Sequence, residues 1–258
     1  MVEQYNPLSD SQWEGIKNFL NTERKRKIDL REVVNAIRYI VRCGIQWRAL
    51  PSYYPKWKSV YYYFCKWEAD GTIMRINTWV NAQDRKNTDR EEKPSLILID
   101  SQSVKLAPMI RQDRGFDANK KVNGRKRQFL VDTGGRIWDA CAHAANVYDA
   151  DGASLLLDPI HMAYWDERCK KVLTDTHYRG TFSVMLADEK EGKIAFEISA
   201  KLSDKPGFEV LPIRWAVERT ISWTNFYRRL VKDFERTVEN SAAWVIWANI
   251  SLMLNRMT

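Results

Sequence analysis

The hydrophobic period changes once along this chain, and that change constrains the fold more than any other feature. Up to about residue 80, apolar residues recur at helical spacing. Leu30, Val33, Val34, Ile37, Ile40 and Val41 fall at i, i+3, i+4, i+7, i+10 and i+11, the stripe of one buried helix face. Residues 84–94 (DRKNTDREEKP) then carry no aliphatic or aromatic side chain. Directly after them, Leu96-Ile97-Leu98-Ile99 is a short apolar run of the kind found in strands covered on both faces. The expected organisation is a helical part over 1–83, a linker over 84–94 and an α/β part over 95–258.

Within the helical part, Ser9 with Gln12 and Asp29 with Glu32 have capping-box spacing. Gly44 and Gly71 end helices, and Pro51 and Pro55 bound a turn. Several short helices with Lys and Arg between them suit a helix-turn-helix-like DNA module; a bundle that only packs on its neighbour is the alternative. In the second part, strands are expected at 125–132 and 136–145, joined as a hairpin across Gly134-Gly135, and at 171–174 and 193–199. Helices are expected at 149–165 with a bend at Pro159, at 180–189, as one long helix over 213–238, and from about Ser241 onward. Hairpin-linked strands beside strands joined through helices predict a mixed α/β sheet flanked by helices.

Composition narrows the class. The 258 residues carry 41 Lys and Arg against 33 Asp and Glu, a net charge of +8, which favours a polyanionic partner. The excess is uneven: +5 over residues 1–93, +5 over 94–127 and −4 over 128–206. With 45% hydrophobic residues and only 11 Gly and 8 Pro, disorder and low complexity are excluded. The four cysteines have no Cys-x-x-Cys spacing, so neither a disulfide scaffold nor a cysteine-built zinc site is expected. The most apolar stretch, 244–254, is interrupted by Asn249 and Ser251 and is too short for a membrane span. The expectation is a soluble, intracellular protein with no membrane partner.

Three acids stand out by position. Asp100 ends the first strand of the α/β part, Asp175 ends a later buried strand, and Glu218 lies inside the long helix. Strand ends of one sheet meet at a rim, where α/β ligands bind. Converging carboxylates do not stay ionised together without a cation. Hard oxygen donors suit Mg²⁺, and a pair of such ions can clamp both oxygens of a phosphodiester displacement. Arg214 lies one turn before Glu218, and Arg219 and Arg228 continue the basic character of that region. Lys120, Lys121, Arg125, Lys126 and Arg127 approach and enter the first hairpin strand as candidates for phosphate binding. His177 is two residues after Asp175, where a bystander role is expected. No Gly-x-Gly-x-x-Gly, Walker or Gly-x-Ser-x-Gly motif occurs, so no nucleotide cofactor or serine-hydrolase chemistry is expected.

From IDSQSVK at 99–105 onward, the motifs follow a recognisable order: GFDANKKVNGRKRQFLVDTGG, HAANVYDADGA, TDTHYRG and GFEVLPIRWAVERTISWTNFYRRLVKDFE. With LSDSQWEGIKNFL and DLREVVNAIRYIVRCGIQWRALP before them, the chain resembles bacterial insertion-sequence transposases of the DDE type, closest to the insertion-sequence-five (IS-five) family. The resemblance implies an RNase H-like catalytic core behind an N-terminal helical domain. Asp100, Asp175 and Glu218 match the family's three acids. It further implies two Mg²⁺ ions, with Mn²⁺ as a substitute: Asp100 bridges the pair, Asp175 holds one ion and Glu218 the other. The implied activity is DNA cleavage at element ends followed by joining of the 3′ ends to target DNA. A homodimer on DNA, in the cytoplasm of a bacterium and associated with its nucleoid, goes with it. Two departures are visible. Thr174-Asp175-Thr176-His177-Tyr178 stands where relatives read Ala-Asp-Gly-Gly-Tyr, and Leu211 and Asn225 occupy the Tyr and Lys places of the signature around Arg214 and Glu218. The rival readings are a degenerate, DNA-binding-only transposase and a plain metal-dependent nuclease.

Overall fold

The computed structural model describes residues 7–22, 27–199 and 212–257, with side chains in the last stretch from residue 215. Four helices come first: α1 (Asp10–Lys17), α2 (Leu30–Cys43), α3 (Trp57–Ala69) and α4 (Thr72–Lys86). Ser9 and Gln12 form the expected capping box on α1. Asp29 caps α2 by accepting from the Arg31 amide, while Glu32 accepts instead from Asn35. All six residues of the predicted α2 stripe are buried. Gly44 ends α2 in the left-handed region, φ 69°, and a Cβ there would lie 2.8 Å from the Arg228 Cβ. Backbone conformation and close packing both demand glycine at this point.

The α/β part follows as β1 (Leu96–Lys105), β2 (Gly115–Asp117), β3 (Val122–Asp132), β4 (Ile137–Ala144), α5 (Asp149–Ala153), α6 (Pro159–Met162), β5 (Lys171–Thr174), α7 (Thr181–Glu189), β6 (Ala195–Ile198), α8 (Pro212–Thr224), α9 (Arg228–Val231) and α10 (Val238–Arg256). Among the described residues, six strands form one mixed sheet. Its order is β3-β1-β5-β6, with β4 and the short β2 on the outer side of β3. β1 runs antiparallel to β3 and parallel to β5, and β6 is parallel to β5.

Strand alternation sorts the core into two layers. Leu98, Phe129, Val131 and Ile137 face the layer built from α1–α4, α8 and α10. Ile97, Ile99, Leu130 and Trp138 face the opposite layer, with Leu156, Leu157, Phe182 and Leu186. The helical part therefore shares one hydrophobic layer with the sheet and with α10. α10 is apolar on nearly every side, and Trp244, Trp247, Ile250 and Met253 are buried, as an interior helix requires.

Polar joints lock the two parts together. Asn249 on α10 donates to Asn77 Oδ1 (2.7 Å) and Asn81 Oδ1 (2.9 Å) on α4, and accepts from the Ile137 amide (3.0 Å). Asn77 and Asn81 both donate to the Ile137 carbonyl at 2.9 Å. A second joint corrects the linker expectation. α4 continues through the first residues of 84–94, and Asp84 and Arg85 are buried. Arg85 pairs with Asp132 at 2.5 Å, and Arg136 pairs with Asp84 at 2.6 Å and Asp132 at 3.3 Å. These side chains look like solvated charge in the sequence because their partners lie about fifty residues away.

The single long helix expected over 213–238 is also corrected. It breaks after Thr224, resumes briefly as α9, and breaks again before α10. No Gly or Pro causes this. The Thr224 hydroxyl bonds back to the Ile221 carbonyl (2.7 Å), and Tyr227 turns into the core. Asp233 is drawn to the end of β1: its amide donates to the Lys105 carbonyl (2.9 Å), and its carbonyl accepts from the Ala107 amide (2.8 Å). Tertiary pairing outweighs local helix propensity here. Likewise, 149–165 is α5, a 3₁₀ turn at Ser154–Leu157 and α6, with Pro159 at the first turn of α6 where its missing N–H costs nothing.

Candidate active site

β1 and β5 lie side by side in parallel register, Leu98 opposite Leu173. Two residues beyond this pair come Asp100 and Asp175. Alternation puts each acid on the same face as the leucine before it, toward α8. Both acids line one small cavity with Ile99, Thr174, Ser199 and Val217 of α8. Glu218 is the next residue on that helix and is half-buried. Two of the predicted acids therefore share one cavity, and the third sits on the helix that closes it.

Each aspartate is held locally. Asp100 Oδ1 accepts from the Ser101 amide at 2.7 Å. Asp175 caps a 3₁₀ turn, Thr176–Tyr178, through its Oδ1 and the His177 amide (2.8 Å). Its Oδ2 lies 3.2 Å from His177 Nδ1. His177 thus touches the second acid directly. Tyr178 ends the turn and is buried. Burial pushes its phenol well above the usual range, and the charges of Asp100, Asp149 and Asp175 push in the same direction, so it stays protonated.

The donors fit a hard divalent cation in kind, being carboxylate oxygens on adjacent strands. They are not closed around one: among the described residues, no three His, Cys, Asp or Glu side chains gather as a metal cage.

The predicted basic residues divide sharply. Arg125 is fully buried and donates to the carbonyls of Glu235 (2.8 Å), Thr237 (3.1 Å), Gln112 (3.1 Å) and Arg236 (3.1 Å). Arg127 is buried against the Leu230 carbonyl (2.8 Å), and both arginines flank the buried Asp233 at 3.5 and 3.8 Å. Lys126 points to the other face, with its ammonium on Asp149 (3.0 Å) and the Val147 carbonyl (3.1 Å). The expectation that Arg125, Lys126 and Arg127 grip phosphate is corrected: strand alternation turns all three inward, onto protein carbonyls and carboxylates. Lys120 and Lys121 remain exposed at the β2–β3 turn, and Arg228 is exposed at the start of α9. Arg219 is sandwiched between Trp215 and Trp223, 4.7 and 4.6 Å from their ring centres, a cation–π stack. The Arg214 side chain lies outside the described residues. Asn225, in the expected Lys place, accepts from Gln102 of β1 at 3.2 Å.

Three features escaped sequence reasoning. Asp233 and Glu235 neutralise Arg125, Arg127 and Arg229; the acids sit in a segment that looks like exposed helix. β2 is too short to carry a period. Gln128 and His143 form a buried hydrogen-bonded pair behind Tyr178, and only strand parity placed them on that face.

Asp175 follows the end of β5 as expected, whereas Asp100 lies inside β1, which continues to Lys105. Mixed sheet, aspartates on neighbouring strands and a helix-borne glutamate define a class that sequence comparison states directly. Residues 91–254 match the transposase DDE domain family, and the chain belongs to that family. This family has an RNase H-like fold and generally works with divalent metal ions on DNA. Residues 8–77 match a second family, described as transposases of the IS4/5 family. No curated protein and no solved structure matches the chain. Among the described residues, no helix is long and apolar enough to cross a membrane.

Proposed function

We propose that this protein is a transposase of the insertion-sequence-five type that binds the terminal inverted repeats of its element, cleaves the DNA there and joins the 3′ ends to target DNA. The observation that carries this reading is the shared cavity of Asp100 and Asp175 beneath α8. Asp100, Asp175 and Glu218 would hold two Mg²⁺ ions, or Mn²⁺ in their place, which supply Lewis-acid activation of water and of the 3′-hydroxyl when bound. In-line displacement at phosphorus needs no covalent link to the protein. Asp100, on the central strand between β3 and β5, would be the acid shared by both ions, with Asp175 holding one and Glu218 the other.

Residues 1–83 are the part that holds the element ends. Their exposed tyrosines and cations support this: Tyr53 and Tyr62 are exposed, and Trp57 has Arg48 and Lys58 each 5.9 Å from its ring centre. Lys120, Lys121, Arg228 and Arg219 supply phosphate contacts nearer the core. Two ends must be cut together, so the active form on DNA is a homodimer, at work in the nucleoid.

One observation favours a rival, DNA binding without cleavage: His177 occupies Asp175 where relatives carry glycine. The deciding experiment is nicking of DNA carrying the element ends, in Mg²⁺ and in EDTA. The proposal expects metal-dependent nicks that Asp175→Asn abolishes while DNA binding persists. Binding with no nicks from the unaltered protein establishes the rival.

A further inference from the structure

Behind the sheet, a directional hydrogen-bond chain reaches the turn that carries Asp175. The Tyr178 hydroxyl donates to Gln128 Oε1 at 2.7 Å. Gln128 Nε2 lies 3.0 Å from His143 Nε2, and His143 Nδ1 lies 2.9 Å from the Ala144 carbonyl oxygen. Tyr178 and Gln128 are fully buried, and His143 is nearly so.

The chain has only one consistent sense. A carbonyl oxygen cannot donate, so His143 Nδ1 carries a proton and donates to Ala144. Burial holds the imidazole pKa below its ordinary value, so the ring is neutral and Nε2 accepts from the Gln128 amide. The Gln128 oxygen then faces Tyr178, which stays protonated and donates. Packing leaves no slack: a Cβ at Gly152 would lie 2.0 Å from His143 Nε2.

Tyr178 and Asp175 are the two ends of one short turn, with the Tyr178 amide on the Asp175 carbonyl at 3.4 Å. Gln128 on β3 pairs with Ser101 on β1, the neighbour of Asp100. The chain therefore ties the loop bearing the second acid to the strand beside the first.

We propose that Tyr178 is a positioning residue for metal binding: its bond to Gln128, oriented by His143, fixes Asp175 at the height against Asp100 that a shared divalent ion needs. This rests on the metal-dependent reading above. Outer-shell partners of this sort typically cost ~10–100-fold in metal affinity or activity when removed.

The test uses Tyr178→Phe, which keeps the ring in place against Phe182 and removes only the hydroxyl. Mn²⁺ binding to the DNA-free protein is measured by calorimetry, and nicking is followed across a Mg²⁺ titration well below each variant's unfolding temperature. The expected result is an Mn²⁺ Kd raised ~10-fold or more, with a higher half-saturating Mg²⁺ and unchanged Kd for DNA. Gln128→Met should behave alike, and the double variant should lose no more than either single one, as members of one network do. Wild-type metal affinity and Mg²⁺ dependence in Tyr178→Phe would overturn the proposal, as would additive losses in the double variant. Asp175→Asn serves as the reference. If it binds Mn²⁺ and nicks like the wild type, the underlying metal-site reading fails, and this inference with it.

Discussion

Replacing Asn249 by alanine should destabilise the whole molecule at once. Its side chain sits between α4, β4 and α10, and its removal strips partners from Asn77 Oδ1, Asn81 Oδ1 and the Ile137 amide. All are buried beyond the reach of water. The Ile137 carbonyl keeps Asn77 and Asn81 as donors, so three groups are orphaned. An unsatisfied buried polar group costs about 1–3 kcal/mol, so the low end already gives a loss of ~3 kcal/mol. With a urea dependence of about 3 kcal/mol per molar, the midpoint should fall by ~1 M. Asn81→Ala orphans none of these groups, because Asn249 still donates to Asn77 Oδ1 and the Ile137 carbonyl, and that carbonyl still accepts from Asn77; it should cost well under ~3 kcal/mol. Urea unfolding followed by tryptophan fluorescence reads both, since Trp67 and Trp138 report from opposite sides of the joint. One shared transition, moved as a unit, is expected. Two separate transitions, or a midpoint for Asn249→Ala within error of the wild type, would refute the view that α1–α4 and the sheet share one core.

Further outcomes follow from the same structure. Arg136→Ala leaves the buried Asp84 and Asp132 short of a partner and should cost ~3–5 kcal/mol, the usual penalty for breaking a buried ion pair from one side, read as a large drop in the thermal midpoint. Lys120→Gln and Lys121→Gln should each flatten the salt dependence of DNA binding by about 0.9 in slope, whereas Arg127→Gln should lower stability instead; a flattened slope with intact stability in Arg127→Gln would contradict its burial. The two histidines remote from the acids should act oppositely with pH. The bond to the buried Asp139 raises the His161 pKa. Its contribution is therefore full below the ordinary histidine value of about 6.5 and lost as pH rises through the raised value. Burial lowers that of His143, so its contribution is present above about 6.5 and lost as pH falls toward the lowered value. Urea midpoints against pH should show His161→Asn losing the alkaline decline and His143→Gln losing the acid one; exchanged assignments would refute the pairings.

Much of this architecture is written in local pattern. β1 and β5 declare themselves because a fully covered strand must be a short apolar run, and each such run points at an acid. The α2 face is equally plain. What stayed hidden depends on partners far away in sequence. No Gly or Pro breaks 213–238; the break after Thr224 goes with Tyr227 turning into the core, and the second with Asp233 pairing at the end of β1. Arg125-Lys126-Arg127 resembles a phosphate grip as a string of charges, yet as a strand it alternates, and Asp233 and Asp149 wait on the two faces. Asp175 was legible for the converse reason: it follows the end of a buried strand, which projects to the rim wherever the rest of the chain goes. Asp100 was found by the apolar run before it, although the strand does not end there but pairs with β3 as far as Lys105. The helix that brings Glu218 was legible only as a helix, and its approach to the cavity through Val217 is a tertiary fact.

Metal ligation by the paired aspartates is the central claim, and a ligand swap tests it most directly. In Asp100→Cys, a softer thiolate replaces a hard carboxylate at the shared position, disfavouring Mg²⁺ more than Mn²⁺. Nicking of DNA with the element ends should vanish in Mg²⁺ and return in part with Mn²⁺, while DNA binding stays at the wild-type level. Nicking by Asp100→Cys in Mg²⁺ at the wild-type rate would contradict the assignment of Asp100 as a metal ligand.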